Sequence, residues 1–200
     1  MSAPPAPLSK LEQADLAVVR QRAELAGPSH ELIARCTGAT EAIGTLQSAG
    51  QLVDAARLMA HAMPRREAVW WACMCARHTR PADLAPGHVA ALEAAELWVR
   101  KPTDEHRRAA FAAAQDAGFG TPEAWSCVGA FWSGDSMAPL GQPLVPPAPN
   151  LTGAAIAGSV ALAAVRDQPE HQMRRLGVFL ASAWEIAAGG PGRIDPEAEA

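Results

Sequence analysis

Apolar residues along the chain recur at the spacing of α-helices. Between positions 51 and 63 they include Leu52, Ala55, Met59 and Met63, three or four residues apart, so that they share one face of a helix. No segment alternates apolar and polar residues with β-branched side chains, as a half-buried strand does. The pattern therefore predicts an all-α fold of about nine helices.

The segment 64–78 differs from the other predicted helices because its middle is apolar on every side. It contains the run Ala-Val-Trp-Trp-Ala-Cys-Met-Cys-Ala, and a helix that is apolar all round is a buried helix. Trp70 and Trp71 are neighbours, so they point to different faces and at least one belongs to the core. We expect this helix at the centre of a compact helical bundle or a short α-solenoid.

Several helix starts are marked by side chains that can accept hydrogen bonds from first-turn N–H groups. Ser29 is expected to cap a short helix that continues to Cys36. Thr103 and Thr121 are expected to cap two longer helices, the second of which also begins with Pro and an acid. The first helix of the chain is expected over 11–25.

The chain divides by composition into a body and two ends. Residues 1–9 are rich in Pro, Ala and Ser and predict a flexible lead-in, whereas the acidic residues 190–200 predict a loose tail. Residues 10–189 are expected to form a single helical domain. Within it, the Pro-rich segment 137–149 favours a rigid crossover between helices over a polyproline ligand for a partner.

Composition and charge narrow the class of protein. With 49% hydrophobic residues, 19% charged residues and a net charge of -4, the chain is typical neither of a disordered protein nor of a nucleic-acid-binding one. The longest uncharged helix, 151–165, is shorter than the about 20 residues of a membrane span. Since the N-terminus lacks a signal-peptide pattern, we expect a cytoplasmic protein with reduced cysteines.

Cys73, Cys75 and His78 form the most suggestive cluster of metal-ligand residue types. On a helix, however, positions 73 and 75 point about 200° apart, so both thiolates cannot face one metal ion. No second Cys or His pair at ligand spacing accompanies them. The sequence therefore predicts buried thiols, with no metal and no cofactor.

The polar loop Ser133-Gly134-Asp135-Ser136 follows an aromatic helix and carries two hydroxyl groups. A nucleophilic Ser needs a base that accepts its proton, and a His would have to come from another element. The chain has neither a GxSxG nor an SxxK motif. A hydrolase-like enzyme of unfamiliar type that uses this loop is the alternative function that the sequence leaves open.

The same region is the candidate protein interface, because aromatic side chains beside a polar, glycine-containing loop are typical anchors of interfaces. For the tryptophans themselves, the sequence favours core packing over an interface role, because they lie on apolar stripes of their helices. The candidate interface residues are Trp125, Trp132, Ser133, Gly134, Asp135, Pro146 and Pro147.

Small residues recur on the helix predicted over 151–165, at Gly153, Ala154, Ala157 and Gly158. Small side chains at this spacing let another backbone come close. They predict either internal helix packing, which we favour, or a groove for a partner.

The chain also resembles an uncharacterised bacterial family of helical proteins of about this length. The resemblance spans residues 50–190 and is carried by RREAVWWAC at 65–73, WVR at 98–100, RRAA at 107–110, FWSG at 131–134, VPP at 145–147 and Leu151. It implies a single helical domain and an association with gene neighbourhoods of type VI secretion and similar contractile systems.

Together, the residues and the resemblance predict a non-enzymatic, cytoplasmic protein that binds another protein. Its role would be that of an accessory, adaptor or chaperone-like factor of a secretion system. The mechanism would be a helical groove that receives an apolar segment of a secretion component or effector. Nothing in the sequence defines the oligomeric state.

Overall fold

A computed structural model describes residues 8–198, which contain ten α-helices, one short 3-10 helix and no strand. The all-α prediction is confirmed. The α-helices are α1 (Leu16–Ala23), α2 (Gly27–Leu32), α3 (Ala39–Ser48), α4 (Leu52–Ala62), α5 (Arg65–His78), α6 (Pro86–Arg100), α7 (Asp104–Ala117), α8 (Pro122–Trp132), α9 (Leu151–Val165) and α10 (Gln172–Ala187), with the 3-10 helix Pro169–His171 before α10.

Helix α5 lies at the centre and packs against α6, α8, α9 and α10. Trp71 is completely buried, and its Nε1 donates a hydrogen bond to the carbonyl oxygen of Phe179 (2.8 Å). Trp70 points the other way and is half-buried. Since helices distant in sequence, such as α4 and α10, also share the core, the arrangement is a bundle rather than a solenoid, in which repeats contact only their neighbours.

The predicted caps of α7 and α8 are confirmed. The hydroxyl of Thr103 accepts a hydrogen bond from the N–H of His106 (3.2 Å), and that of Thr121 from the N–H of Ala124 (3.4 Å). Each side chain thereby satisfies one donor that the helix itself leaves free.

The start of the chain differs from the sequence prediction. The first helix begins at Leu16 and not at position 11, because the carboxylate of Asp15 accepts hydrogen bonds from the N–H groups of Ala17 and Val18 (2.8 and 3.3 Å). The prediction that Ser29 is an N-cap is wrong.

Ser29 lies instead inside α2, which runs from Gly27 to Leu32 and therefore also ends before the predicted Cys36. Pro28 explains the early start, since proline is favoured in a first turn, where its missing N–H costs nothing. Of the predicted lead-in 1–9, only positions 8 and 9 belong to the described residues.

The sequence predicts a loose tail after the last helix. In the structure, the segment that follows α10 lies against the bundle. Trp70 Nε1 donates to the carbonyl oxygen of Pro191 (2.7 Å), and the N–H of Glu197 donates to the carbonyl oxygen of His78 (2.7 Å). These contacts hold residues 190–197 along the C-terminal half of α5.

The carboxylate of Glu197 also holds this segment in place, because it forms salt bridges with Arg174 and Arg175 on α10. The hydrogen bonds from Arg175 and Arg174 hold the pKa of this carboxyl below its usual range. The acidic tail therefore forms salt bridges with arginines more than twenty positions away, which could not be predicted from the neighbouring residues.

Residues 133–150 connect α8 to α9, and these two helices pack against each other. The Pro-rich segment 137–149 is therefore a connection between neighbouring helices. Within residues 8–198, no helix has the length and apolarity needed to cross a membrane.

Candidate functional site

A groove of about 510 Å³ opens between the loop after α8 and the junction of α6 with α7. Its lining combines aliphatic, aromatic and charged side chains. The residues are Trp98, Pro102, Thr103, Asp104, Arg107, Arg108, Ser133, Gly134, Asp135, Ser136, Pro139, Leu140, Gly141, Gln142 and Leu144.

Arg107 joins α7 to the loop and is almost completely buried, with 3% of its surface exposed. Its Nη1 donates a hydrogen bond to the carbonyl oxygen of Phe131 (2.7 Å), and its Nε donates to Asp104 (2.9 Å). The guanidinium also stacks on the ring of Phe131, with 4.8 Å between its carbon and the ring centroid. Arg107 therefore fixes the end of α8 against the start of α7.

Asp104 balances the positive charge at this point of the groove. Its carboxylate accepts hydrogen bonds from Arg108 and Arg107, and these bonds lower the pKa of Asp104. The acid stays ionised at neutral pH and leaves the two guanidinium groups partly neutralised.

Gly134 allows the loop to pass directly over Arg107. A Cβ atom at this position would lie 2.3 Å from Nε and 2.4 Å from Cδ of Arg107. Any larger residue would have to displace a side chain that hydrogen bonds hold in place.

The base of the loop is closed by Ser136, which is buried. Its hydroxyl oxygen accepts hydrogen bonds from the N–H groups of Ala138 (3.1 Å) and Val145 (3.0 Å). The N–H of Met137 donates to the carbonyl oxygen of Val145 (2.7 Å), and Arg108 Nη1 donates to that of Ala138 (2.8 Å). Four hydrogen bonds thus close the segment 136–145 on itself and onto α7.

At the tip of this closed loop, two leucines extend into solvent. Leu140 and Leu144 each expose 76% of their surface. The backbone between them turns at Gly141 (φ +81°), and the N–H of Gln142 donates to the carbonyl oxygen of Pro139 (3.2 Å), as in a type II turn with Gly at its third position. The loop therefore presents apolar side chains from an ordered backbone.

The predicted interface residues fall into two groups. Ser133, Gly134 and Asp135 line the groove, with the carbonyl oxygen of Ser133 also accepting from Arg65 Nη1 (3.1 Å). The others lie outside the groove lining: Trp125, Trp132, Pro146 and Pro147.

Trp125 and Trp132 form an edge-to-face pair on α8, with ring centroids 6.3 Å apart. Both are half-buried, and Trp125 Nε1 donates to the carbonyl oxygen of Phe119 (2.8 Å). They pack against the core cluster, so they contribute at least in part to packing.

Sequence reasoning missed Leu140, Leu144, Trp98 and Arg107 as groove residues. The two leucines did carry a signal, because they lie in a Pro-rich run that has no helical face on which to bury them. Trp98 carries no such signal, since it also satisfies the pattern of an inward-facing helix position. Arg107 carries none either, since an arginine near the start of a helix is ordinarily exposed.

The hydroxyls of the loop are engaged with backbone. Ser133 Oγ donates to the carbonyl oxygen of Gly129 (2.8 Å), and Ser136 Oγ accepts the two N–H groups described above. In the described part of the chain, neither hydroxyl forms a hydrogen bond with a His or a carboxylate. This geometry gives no support to the hydrolase alternative, which needs such a base.

The buried cysteines are poorly suited to chemistry. Burial raises the pKa of Cys73 and of Cys75 well above the usual range, and burial raises the pKa of Cys127 to about 12. Protonated thiols are weak nucleophiles and weak metal ligands. Between residues 8 and 198, no three His, Cys, Asp or Glu side chains are placed to hold a metal ion.

Comparison with known proteins identifies a family for this chain. The model of a family described as a family of unknown function (DUF6931) covers residues 42–187, nearly three quarters of the chain. No curated protein and no solved structure matches the sequence or the fold.

Proposed function

Because the chain belongs to DUF6931, a family of unknown function, we propose its role from its own groove. The protein is a non-enzymatic accessory that binds another protein. An apolar segment of the partner lies in the groove between the loop 133–145 and α7 and packs against Leu140 and Leu144.

The observation that carries this proposal is an ordered loop that exposes two leucines. A flexible loop would lose conformational entropy when a partner ordered it, whereas the loop closed by Ser136 has lost most of that entropy already. Burying an exposed Leu side chain contributes about 1.5–3 kcal/mol, so the two leucines together contribute about 3–6 kcal/mol to an interface that buries them.

The charges around the groove favour an uncharged partner segment. Asp104 already neutralises much of Arg107 and Arg108, and Asp135 is an exposed acid on the opposite side. An anionic partner group would lose hydration beside arginines whose charges Asp104 already pairs, and a cationic group would find only the solvated carboxylate of Asp135, which contributes little. An apolar stretch flanked by polar residues fits this surface better.

The setting that we propose is the cytoplasm of a bacterium, where the protein acts as an adaptor or chaperone-like factor of a type VI or related contractile secretion system. The partner is then a secretion component or an effector. Support for this setting comes from the sequence resemblance over 50–190.

The leucines can be tested without disturbing the core. The double variant Leu140→Ser/Leu144→Ser removes both exposed side chains, and Leu32→Ser, which changes an exposed leucine of α2 (42% exposed), serves as the matched control. The tagged proteins are used to capture partners from a lysate of the source organism. We expect at least one protein, belonging to the secretion machinery, to be recovered with the wild type and the control and lost with the double variant.

Recovery of the same proteins by all three forms would contradict the groove as the binding site. If the double variant fails to capture a protein that is unrelated to secretion, the binding role of the groove is supported and the proposed secretion setting is overturned.

A further inference from the structure

A second opening, a cavity of about 380 Å³, lies where α1, α4, α9 and α10 meet. Its volume falls within the about 300–1,000 Å³ of small-molecule sites. Among the described residues, none lines both this cavity and the groove. The two openings are separate features of the molecule.

The walls of the cavity are mostly aliphatic. Helix α9 contributes Ala154, Ala157 and Gly158, and Ala56 and Leu176 face them from α4 and α10. A Cβ atom on Gly158 would meet no atom within 4 Å. The small residues of α9 therefore leave space along the helix, and that space suits an apolar body.

Two arginines line the same cavity without a carboxylate partner. Arg22 comes from α1 and Arg57 from α4, and within residues 8–198 neither forms an ion pair. Glu24 also borders the cavity; it is exposed, as Arg57 is, and it is paired with neither arginine. Asn150 adds a side-chain amide that makes no capping hydrogen bond to α9. Guanidinium groups without counter-ions favour an anion beside them.

His61 completes the polar side of the cavity. Burial, together with the positive charges of Arg22 and Arg57, lowers the pKa of His61 to about 4. The ring is therefore neutral at pH 7 and offers a hydrogen bond without adding charge. Gly153 permits the close approach of this ring, because a Cβ atom there would lie 2.2 Å from Nδ1 of His61.

We infer that this cavity binds a small organic carboxylate. Arg22 and Arg57 hold the carboxylate group, and an aliphatic body lies along α9 beside Ala154 and Gly158. The site requires both parts of the ligand, since the cations and the aliphatic wall belong to the same cavity.

Hexanoate is the probe, because it has both a carboxylate group and an aliphatic chain. In contrast, 1-hexanol has the aliphatic chain without the charge, and acetate has the carboxylate without a long chain. We expect hexanoate to bind about tenfold or more tightly than either, as measured by NMR titration of the whole protein. Equal affinity for hexanol would contradict the role of the arginines. Equal affinity for acetate or inorganic phosphate would contradict the role of the wall, and absence of saturation by millimolar hexanoate would overturn the site.

Paired variants separate the two parts of the site. Arg22→Gln or Arg57→Gln is expected to weaken hexanoate about tenfold, and Arg35→Gln, at an exposed arginine outside the cavity, should leave the affinity unchanged. Gly158→Leu places a side chain in the cavity and should abolish binding. Gly44→Leu is its control, because Gly44 is also a helical glycine with open space at its Cβ.

The His61 ring supplies a readout that does not depend on any substitution. A bound carboxylate lies beside this ring, so hexanoate should shift the NMR signals of the His61 ring at pH 7, where the carboxylic acid is fully ionised. The ring signal of His106, at the start of α7, should not respond. Unchanged ring signals of His61 at saturating hexanoate would overturn the assignment even if hexanoate binds elsewhere.

Discussion

At the scale of single residues, the groove depends on one glycine and one arginine that touch. Arg107 is buried because it can satisfy its donors on Phe131 and Asp104 while its flat face covers an aromatic ring. Gly134 is the residue that lets the loop lie on that arginine. The shape of the groove therefore depends on the absence of a side chain at position 134.

Gly134→Ala is expected to destabilise the protein by about 1–3 kcal/mol, because the added methyl group forces a well-packed side chain to move and strains its buried hydrogen bonds. Urea unfolding of the variant and the wild type measures the difference. Gly120→Ala is the control, since a Cβ atom on Gly120 meets nothing within 4 Å. A Gly134→Ala protein as stable as the control would contradict the account of this contact.

At the scale of elements, helices with local end signals could be predicted from the sequence. Helices α7 and α8 have the predicted caps, because Thr103 and Thr121 act on N–H groups only three residues away. The predicted start at position 11 is wrong because it rests on apolar periodicity, which does not mark where a helix begins. The local signal is Asp15, whose carboxylate caps the helix that begins at Leu16.

The groove and the tail could not be predicted, because their contacts join residues far apart in the chain. Arg108 reaches Ala138 across 30 positions, and Arg175 reaches Glu197 across 22. A sequence shows that a tail is acidic and that a helix is basic, but not that the two meet. The candidate site was therefore predicted at Ser133, Gly134 and Asp135, and missed where α6 and α7 complete it.

The salt bridges between Glu197 in the tail and α10 predict that the stability of the protein depends on pH. The pKa of this carboxyl is lower in the folded protein than in the unfolded chain. Its contribution to the free energy of unfolding is therefore complete above the unfolded pKa of about 4.3. That contribution is lost as the pH falls through the lower folded value. Glu197→Gln should cost about 1 kcal/mol at pH 7, and the difference from the wild type should shrink in acid.

Urea unfolding of Glu197→Gln and the wild type between neutral pH and acid measures this effect. Glu12→Gln provides the comparison, since Glu12 is exposed and has no ion pair among the described residues. If the free energies of unfolding of Glu197→Gln and the wild type differ by the same amount down to strongly acid pH, the proposed stabilisation by the Glu197 salt bridges is contradicted.

At the scale of the whole molecule, the bundle around α5 provides a rigid body with two separate openings. The groove at the α6–α7 side presents exposed leucines on an ordered loop, and the cavity at the α1–α4 side presents Arg22 and Arg57 beside an aliphatic wall. In the groove, the hydroxyls of Ser133 and Ser136 form hydrogen bonds with backbone groups. We propose that the two openings bind different ligands, a partner protein in the groove and a small organic acid in the cavity.

The affinity of the captured partner, measured by titration calorimetry with purified proteins, tests the central claim most directly. If the partner buries both loop leucines, Leu140→Ser/Leu144→Ser should raise the Kd by about a hundredfold, while Leu32→Ser should leave it within about twofold of the wild type. The same Kd for the wild type and the double variant would contradict binding through the loop and its groove.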